Sequence, residues 1–454
     1  MKKLKKARML LALTLCAILS MSLLAGCSGQ SGGGDSGGAV EITYSFWGTP
    51  EEAESVQAVA DRYNSEQSEV KVTVENIPHD TYVDKLNAMA TANELPDCGI
   101  MSEAGVLQFA EQGLLADIAD MYEGAESKPL DSLAFKSDGN TVAYSAANEI
   151  LILYYNKKMF DEAGVEYPPT AAESAWTWDQ FVETAKKLTL DVNGKTASDP
   201  AFDSKNIKQY GVMVENLTWQ LEVWALSNGG GFYNEDGSAV TIDAPETIEA
   251  IQKVADLHLK DNVAPLSAGL TDDGVQRSII AGTVAMTTNG TWNVGTSLNA
   301  WKDEGNEYGV AVLPIMKKAV TINTGGPNVV FSQGENQDAA MKWLKWYSQE
   351  DNNWDLIKDG IWMPILEEYY TDETLTHKWV DNPNFPPYDE YKSAVVDYAR
   401  DYTISTSWYY VNNTNDFNTL LGSVLGEVWT GDKTAEEAIT GNVDALKAAY
   451  EGNA

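Results

Sequence analysis

From Glu41 the chain alternates, Ile42, Tyr44 and Phe46 against Thr43, Ser45 and Trp47, a period of two that predicts a strand. Pro50 with Glu51 and Glu52 then opens a helix whose apolar face is Val56, Val59, Ala60 and Tyr63. Alternation returns with Val70, Val72 and Val74 against Lys71, Thr73 and Glu75. A second helix is expected over 80–93, followed by Leu95-Pro96-Asp97 and a short apolar strand. Strand, helix, strand, helix, strand is the order of an α/β fold with a mainly parallel sheet. Farther on, Asp243-Ala-Pro-Glu246 predicts an N-cap for a long helix over Ile248, Ile251 and Leu257, and Thr434-Ala-Glu-Glu437 reads as a capping box.

The first 26 residues follow another pattern. Lys2, Lys3, Lys5, Lys6 and Arg8 precede an apolar run from Met9 to Leu24, the n-region and h-region of a secretory signal and too short for a comfortable membrane span. It ends in Leu24-Ala25-Gly26-Cys27, which resembles the lipobox of bacterial lipoproteins, so Cys27 is expected to become the lipidated, membrane-holding mature N-terminus. Residues 28–38, SGQSGGGDSGG, offer nothing apolar to bury and read as a flexible tether with a reach of roughly 20 Å. The remaining body, from Ala39, is long enough for two lobes.

Charge narrows the function classes. The formal charge is −36, and loss of the five cations of the signal takes it to −41, which excludes nucleic acid as a partner. Of three cysteines, Cys16 leaves with the signal, Cys27 is the anchor and Cys98 has no mate, so no disulfide framework and no CxxC metal site is expected. Gly229-Gly-Gly231 and Gly325-Gly326 stand in no nucleotide-binding frame, GxSxG is missing, and His79, His258 and His377 have no metal-ligand spacing; neither cofactor nor metal is called for. All 14 Trp and 21 Tyr lie in the body. Such rings stack on the apolar face of a sugar, and they also fill cores.

Several stretches together resemble the extracellular solute-binding proteins of ABC sugar importers, the group containing maltose-binding protein. They are ITYSFWGTPEEAESVQAVADRYNSEQSEVKVTV, LPDCGIMSEAGVLQFAEQGLLADI, AANEILILYYNKKMFDEAGV with AWTWDQFVETAKKL, then AGTVAMTTNGTWN, YGVAVLPI, TGGPNVVFS and TGDKTAEEAI, in the family's order across nearly all of 39–450. Residues 350–420 depart from it by a lengthened region. The resemblance implies a two-lobed α/β fold of the type II periplasmic-binding kind, with ligand in a cleft between lobes that close by a hinge. Chain crossings are expected near Asn148–Leu151, Tyr308–Val310 and Pro327–Val330, giving an N-lobe of 39–148 plus 309–327 and a C-lobe of 149–308 plus 328–454.

The resemblance also assigns site residues. Trp219 and Trp292 are expected to be stacking platforms, Glu149 to accept from sugar hydroxyls at the first crossing, and Trp408 to belong to an aromatic cluster near the closing region. Asn289, in the turn with Gly290, is a hydroxyl-binding candidate. Ligands of open α/β sheets bind beyond the carboxyl ends of strands, which adds Trp47 and the polar pair Ser102 and Glu103. Trp178, Trp224, Trp343 and Trp346 read as core. The expected role is capture of a neutral mono- or oligosaccharide and its delivery to an ABC permease, without catalysis. A secreted glycoside hydrolase stays open at this point, since it needs two carboxylates and the chain holds 67 acids. So does a sugar receptor for a signalling system.

Overall fold

Thirteen strands among the described residues sort into two sheets, each dressed with helices. The structure, a computed structural model, describes residues 38–451 except 48–49, 79–80, 126, 267–278, 295–297, 299–300, 303, 359, 361 and 412–413. The signal, Cys27 and almost all of the tether lie outside the described residues.

The first sheet runs β2-β1-β3-β12-β5-β4. β1 (Val40–Trp47), β2 (Val70–Ile77) and β3 (Cys98–Ile100) are parallel, with Ile42 opposite Val72 and Tyr44 opposite both Val74 and Cys98. β12 (Pro327–Val330) is antiparallel to β3 and to β5 (Asn140–Ser145), and β4 (Ala134–Ser137) closes the edge. The helices α1 (Pro50–Glu66) and α2 (Tyr82–Ala92) are the two crossovers that the three parallel strands need, and α3 (Glu103–Glu111) leads out of β3 toward the β4–β5 edge. The predicted α1 face is buried at Val56, Ala60 and Tyr63.

The second sheet runs β13-β11-β6-β9-β8-β7, with β10 also on β6. Its spine is β6 (Glu149–Asn156), flanked by β9 (Val284–Gly290), β10 (Tyr308–Ala311) and β11 (Thr321–Thr324), all antiparallel to it. β7 (Leu190–Asp191), β8 (Ile207–Val214) and β13 (Thr403–Ser405) complete it. Helix α4 (Trp178–Leu188) packs on β8 and β9, while α5 (Thr218–Ser227) and α6 (Pro245–Leu259) pack on each other, and Trp178 of α4 meets Trp224 of α5 in edge contact at 5.2 Å.

Two sequence readings need correction here. The strands of 309–327 were expected in the N-lobe, yet β10 and β11 hydrogen-bond to β6 in the second sheet. The chain returns to the first sheet only at Pro327, and α7 (Gln337–Tyr347), expected in the C-lobe, seats Trp343 against Tyr44 of β1 and Tyr63 of α1. These three strands are four residues long and buried throughout, so no alternation marks their partner. The second correction concerns Asp243. Helix α6 starts at Pro245 behind Ala244 with no side-chain cap, and Asp243 pairs with Lys447 instead. The box at Thr434 and Glu437 is formed in full, and another stands at Thr177 and Gln180 ahead of α4. Trp178, Trp224 and Trp343 are core, whereas Trp346 is half-buried beneath the Arg62 guanidinium.

Candidate functional site

A cavity of about 400 Å³ opens where the two sheets face each other, and elements of both supply its walls. The first sheet gives Phe46 and Trp47 at the carboxyl end of β1, Ile100 at the end of β3, Glu103 at the start of α3, and Ala146 and Ala147 beyond β5. The second gives Glu149 at the start of β6, Thr324 at the end of β11, Trp219 in the first turn of α5, and Trp292 just past β9. Trp362 and Trp408 close it from loops.

The indoles are arranged, not scattered. Trp219 lies between Trp292 at 6.2 Å and Trp408 at 5.4 Å, each tilted by 37°, so three rings form one continuous apolar face. Gly290 explains the position of Trp292: a Cβ there would sit 1.8 Å from the indole, so the ring folds back over the space a side chain would take. Trp47 is held edge-on by Tyr82 at 5.2 Å, and the Tyr82 hydroxyl donates to the Ile100 carbonyl at 2.5 Å.

The polar groups meet at Thr324. Its hydroxyl donates to Glu103 Oε1, and the Gly325 amide donates to the same oxygen at 3.0 Å. Gly325 has φ 141, and a Cβ there would sit 2.1 Å from the Ala147 carbonyl oxygen, so only glycine presents that amide. Thr324 is the cross-strand partner of Glu149, which brings the second carboxyl to the same floor. Burial, and then the charge of Glu103, push Glu149 up to about 8. No lysine, arginine or histidine is among the described residues that line this cavity.

Of the residues singled out in the sequence, Trp47, Glu103, Glu149, Trp219, Trp292 and Trp408 thus share one cavity. Ser102 and Asn289 do not line it. Ser102 occupies the N-cap position of α3 without a side-chain cap bond. Asn289 is buried near the carboxyl end of β9; its Oδ1 accepts from Gly290 N at 2.7 Å, and its Nδ2 has no partner among the described residues. Cys27 lies outside the described residues. Sequence reasoning missed Phe46, Thr324 and Trp362. Phe46 was read as strand core, and Trp362 stands in a loop with no periodic or motif signal.

A family model described as bacterial extracellular solute-binding protein matches residues 58–387, well over half of the chain. The chain belongs to this family. Among its relatives, a maltotriose-binding protein of Pyrococcus abyssi is 27% identical over 340 residues, 72% of this chain and 66% of that protein's length. A sn-glycerol-3-phosphate-binding periplasmic protein of Brucella abortus is 25% identical over 392 residues, covering 81% of this chain and 84% of its own. The structure of an ABC substrate-binding protein of Listeria monocytogenes in complex with cycloalternan superimposes with a TM-score of 0.72 over 91% of this chain and 99% of that one, at 24% identity. That likeness shows the fold: two α/β lobes facing a cleft.

Proposed function

We propose that this chain is the lipid-anchored substrate-binding subunit of an ABC importer, which captures a neutral mono- or oligosaccharide between its lobes and delivers it to the membrane permease. The lining of the cavity carries this reading. Three contiguous indoles with Trp47 and Trp362 suit the apolar faces of sugar rings, and two carboxyls on the floor suit hydroxyl groups that donate and accept. The relative named for maltotriose supports a saccharide. The relative named for glycerol phosphate raises an anionic ligand as the rival. An anion needs a cation or a bidentate arginine. Arg62 donates to the Asn352 carbonyl beside Trp346, and Arg400 is paired with Asp397 and Asp401. Arg277 lies outside the described residues. The anchor rests on Leu24-Ala25-Gly26-Cys27 and the Gly/Ser segment after it.

Titration calorimetry of residues 39–454 tests the ligand class. Maltotriose and other neutral oligosaccharides should bind, while oligogalacturonate, sialyllactose and sn-glycerol 3-phosphate stay silent. Tight binding of any of the three anions, with the neutral sugars silent, would refute it.

A further inference from the structure

Glu222 is a carboxyl the cavity does not use, and its position is unusual. It lies in the middle of α5, 2% exposed, one helical turn after Trp219. Burying a carboxyl there is unfavourable unless its oxygens are hydrogen-bonded. Both oxygens accept from Ser407: the backbone amide at 3.3 Å to each, and the hydroxyl at 3.0 Å to Oε2. Ser407 opens the short 3-10 turn Ser407–Tyr409, whose middle residue is Trp408. On the other side of Trp408, the ring of Tyr409 stacks on Phe135 of β4 at 4.0 Å and its hydroxyl shares a hydrogen bond with Ser145 of β5 at 2.9 Å. Trp408 is therefore clamped on one side to the helix that carries Trp219 and on the other to the opposite sheet. Nothing in the sequence around VENLTWQLEVW marks Glu222 apart from the other acids.

We propose that Glu222 is a positioning residue for ligand capture: through Ser407 it fixes the Trp408 indole against Trp219 and so builds the outer third of the aromatic platform. The proposal rests on the reading of that platform as a sugar site. A wandering Trp408 would have to be ordered by the ligand itself, and that ordering would subtract from affinity. The side-chain hydrogen bonds of Glu222 among the described residues go to Ser407, so its effect on the platform should pass through Trp408.

Three variants and one double variant decide it, with maltotriose as the calorimetric probe and near-ultraviolet circular dichroism as a probe that needs no ligand. Indoles 5.4 Å apart couple their transitions, so Trp408→Phe reports the dichroism lost with that pair. Glu222→Met should bring the spectrum close to that of Trp408→Phe and weaken maltotriose binding roughly tenfold. Glu222→Gln keeps an acceptor for Ser407 and should retain the spectrum and stay within about threefold of wild type. In a Trp408→Ala background, Glu222→Met should have no further effect on affinity, because residues acting as one unit are not additive. A general packing role predicts instead an equal loss in both backgrounds, and that result would overturn the proposal. So would a Glu222→Met spectrum like wild type. If wild type binds no sugar, the saccharide reading fails by itself, and the spectra of the free proteins still decide whether Glu222 places Trp408.

Discussion

Replacing Glu149 by glutamine should make the empty protein more stable in alkali and leave it unchanged in acid. The folded chain raises this carboxyl from its ordinary 4.5 to about 8, first through burial and then through the charge of Glu103. Between those two values the folded chain holds a proton that the unfolded chain has released. Stability therefore falls as pH rises through that window, and is insensitive to this group below it and above it. At about 1.4 kcal/mol per pH unit the full window amounts to about 5 kcal/mol. The side chain keeps one edge toward the cleft, so about 2 to 5 kcal/mol is expected, or roughly 2 to 6 °C in melting temperature for a body of this size. Glutamine matches the protonated carboxyl in shape and carries no charge, so it removes the penalty alone. Other groups facing Glu149 are the phenols of Tyr154 and Tyr409, which burial holds above their ordinary range, and among the described residues no cation joins them. Glu222 and Glu350 also titrate late, both pushed up to about 7 chiefly by burial, so the difference between variant and wild type is the quantity to read. Calorimetric melting of both proteins from pH 5 to pH 9 should give curves that coincide near pH 5 and diverge upward, with Glu149→Gln the higher. A constant offset across the range, or a variant less stable at pH 9, would refute the reasoning.

The indoles separate in the same two measurements. Trp219→Ala and Trp292→Ala should each cost about 1 to 3 kcal/mol of sugar affinity with the melting point nearly kept, whereas Trp224→Ala should lose about 3 to 5 kcal/mol of stability and leave affinity alone, since Trp224 is buried against Trp178. A large fall in melting point with unchanged affinity for Trp219 or Trp292 would count against the platform. In a host with the lipoprotein pathway, Cys27→Ala should move the full chain from the membrane fraction to the soluble one, and an unlipidated, soluble wild type would disprove the anchor.

How much of this could be read from the chain depended on how local each signal was. β1 and α1 were legible because Ile42, Tyr44 and Phe46, and Val56, Ala60 and Tyr63, state their periods within a few residues. Trp219 and Trp292 were found by likeness to a family, and the glycine beside Trp292 had a physical reason that the folded-back ring makes explicit. Asn289 was misplaced because β9 is buried on both faces, so alternation alone does not tell which face meets the cleft; the ring of Trp292 covers Gly290 on the face opposite Asn289. The lobe membership of 309–327 was not legible, because a four-residue buried strand pairs by long-range hydrogen bonds that leave no trace in its own pattern. Thr324 and Trp362 were missed for a related reason. Each owes its place to the meeting of two sheets: Trp362 stands in no motif, and Thr324 opens the TGGPNVVFS stretch without anything local that marks its hydroxyl.

The residues that collect at the cleft are those that make least sense for an empty protein. Two carboxyls share one floor with no cation among the described residues of the lining, and one of them carries its proton far past the ordinary range. Large indoles that could be buried remain partly open to water, and a glycine at φ 141 is required to present one amide. Each of these costs stability, and each cost is reduced by the same kind of molecule: one with hydroxyls that can donate to Glu103 and trade hydrogen bonds with Glu149, and with apolar faces that cover the rings. An anion would relieve the rings while placing a second negative charge beside Glu103 and burdening Glu149 further, and an apolar ligand would leave the carboxyls desolvated and unpaired. The polarity of the floor and the shape of the platform thus select for one chemistry, which is where the local rules of folding and the demands of binding part company.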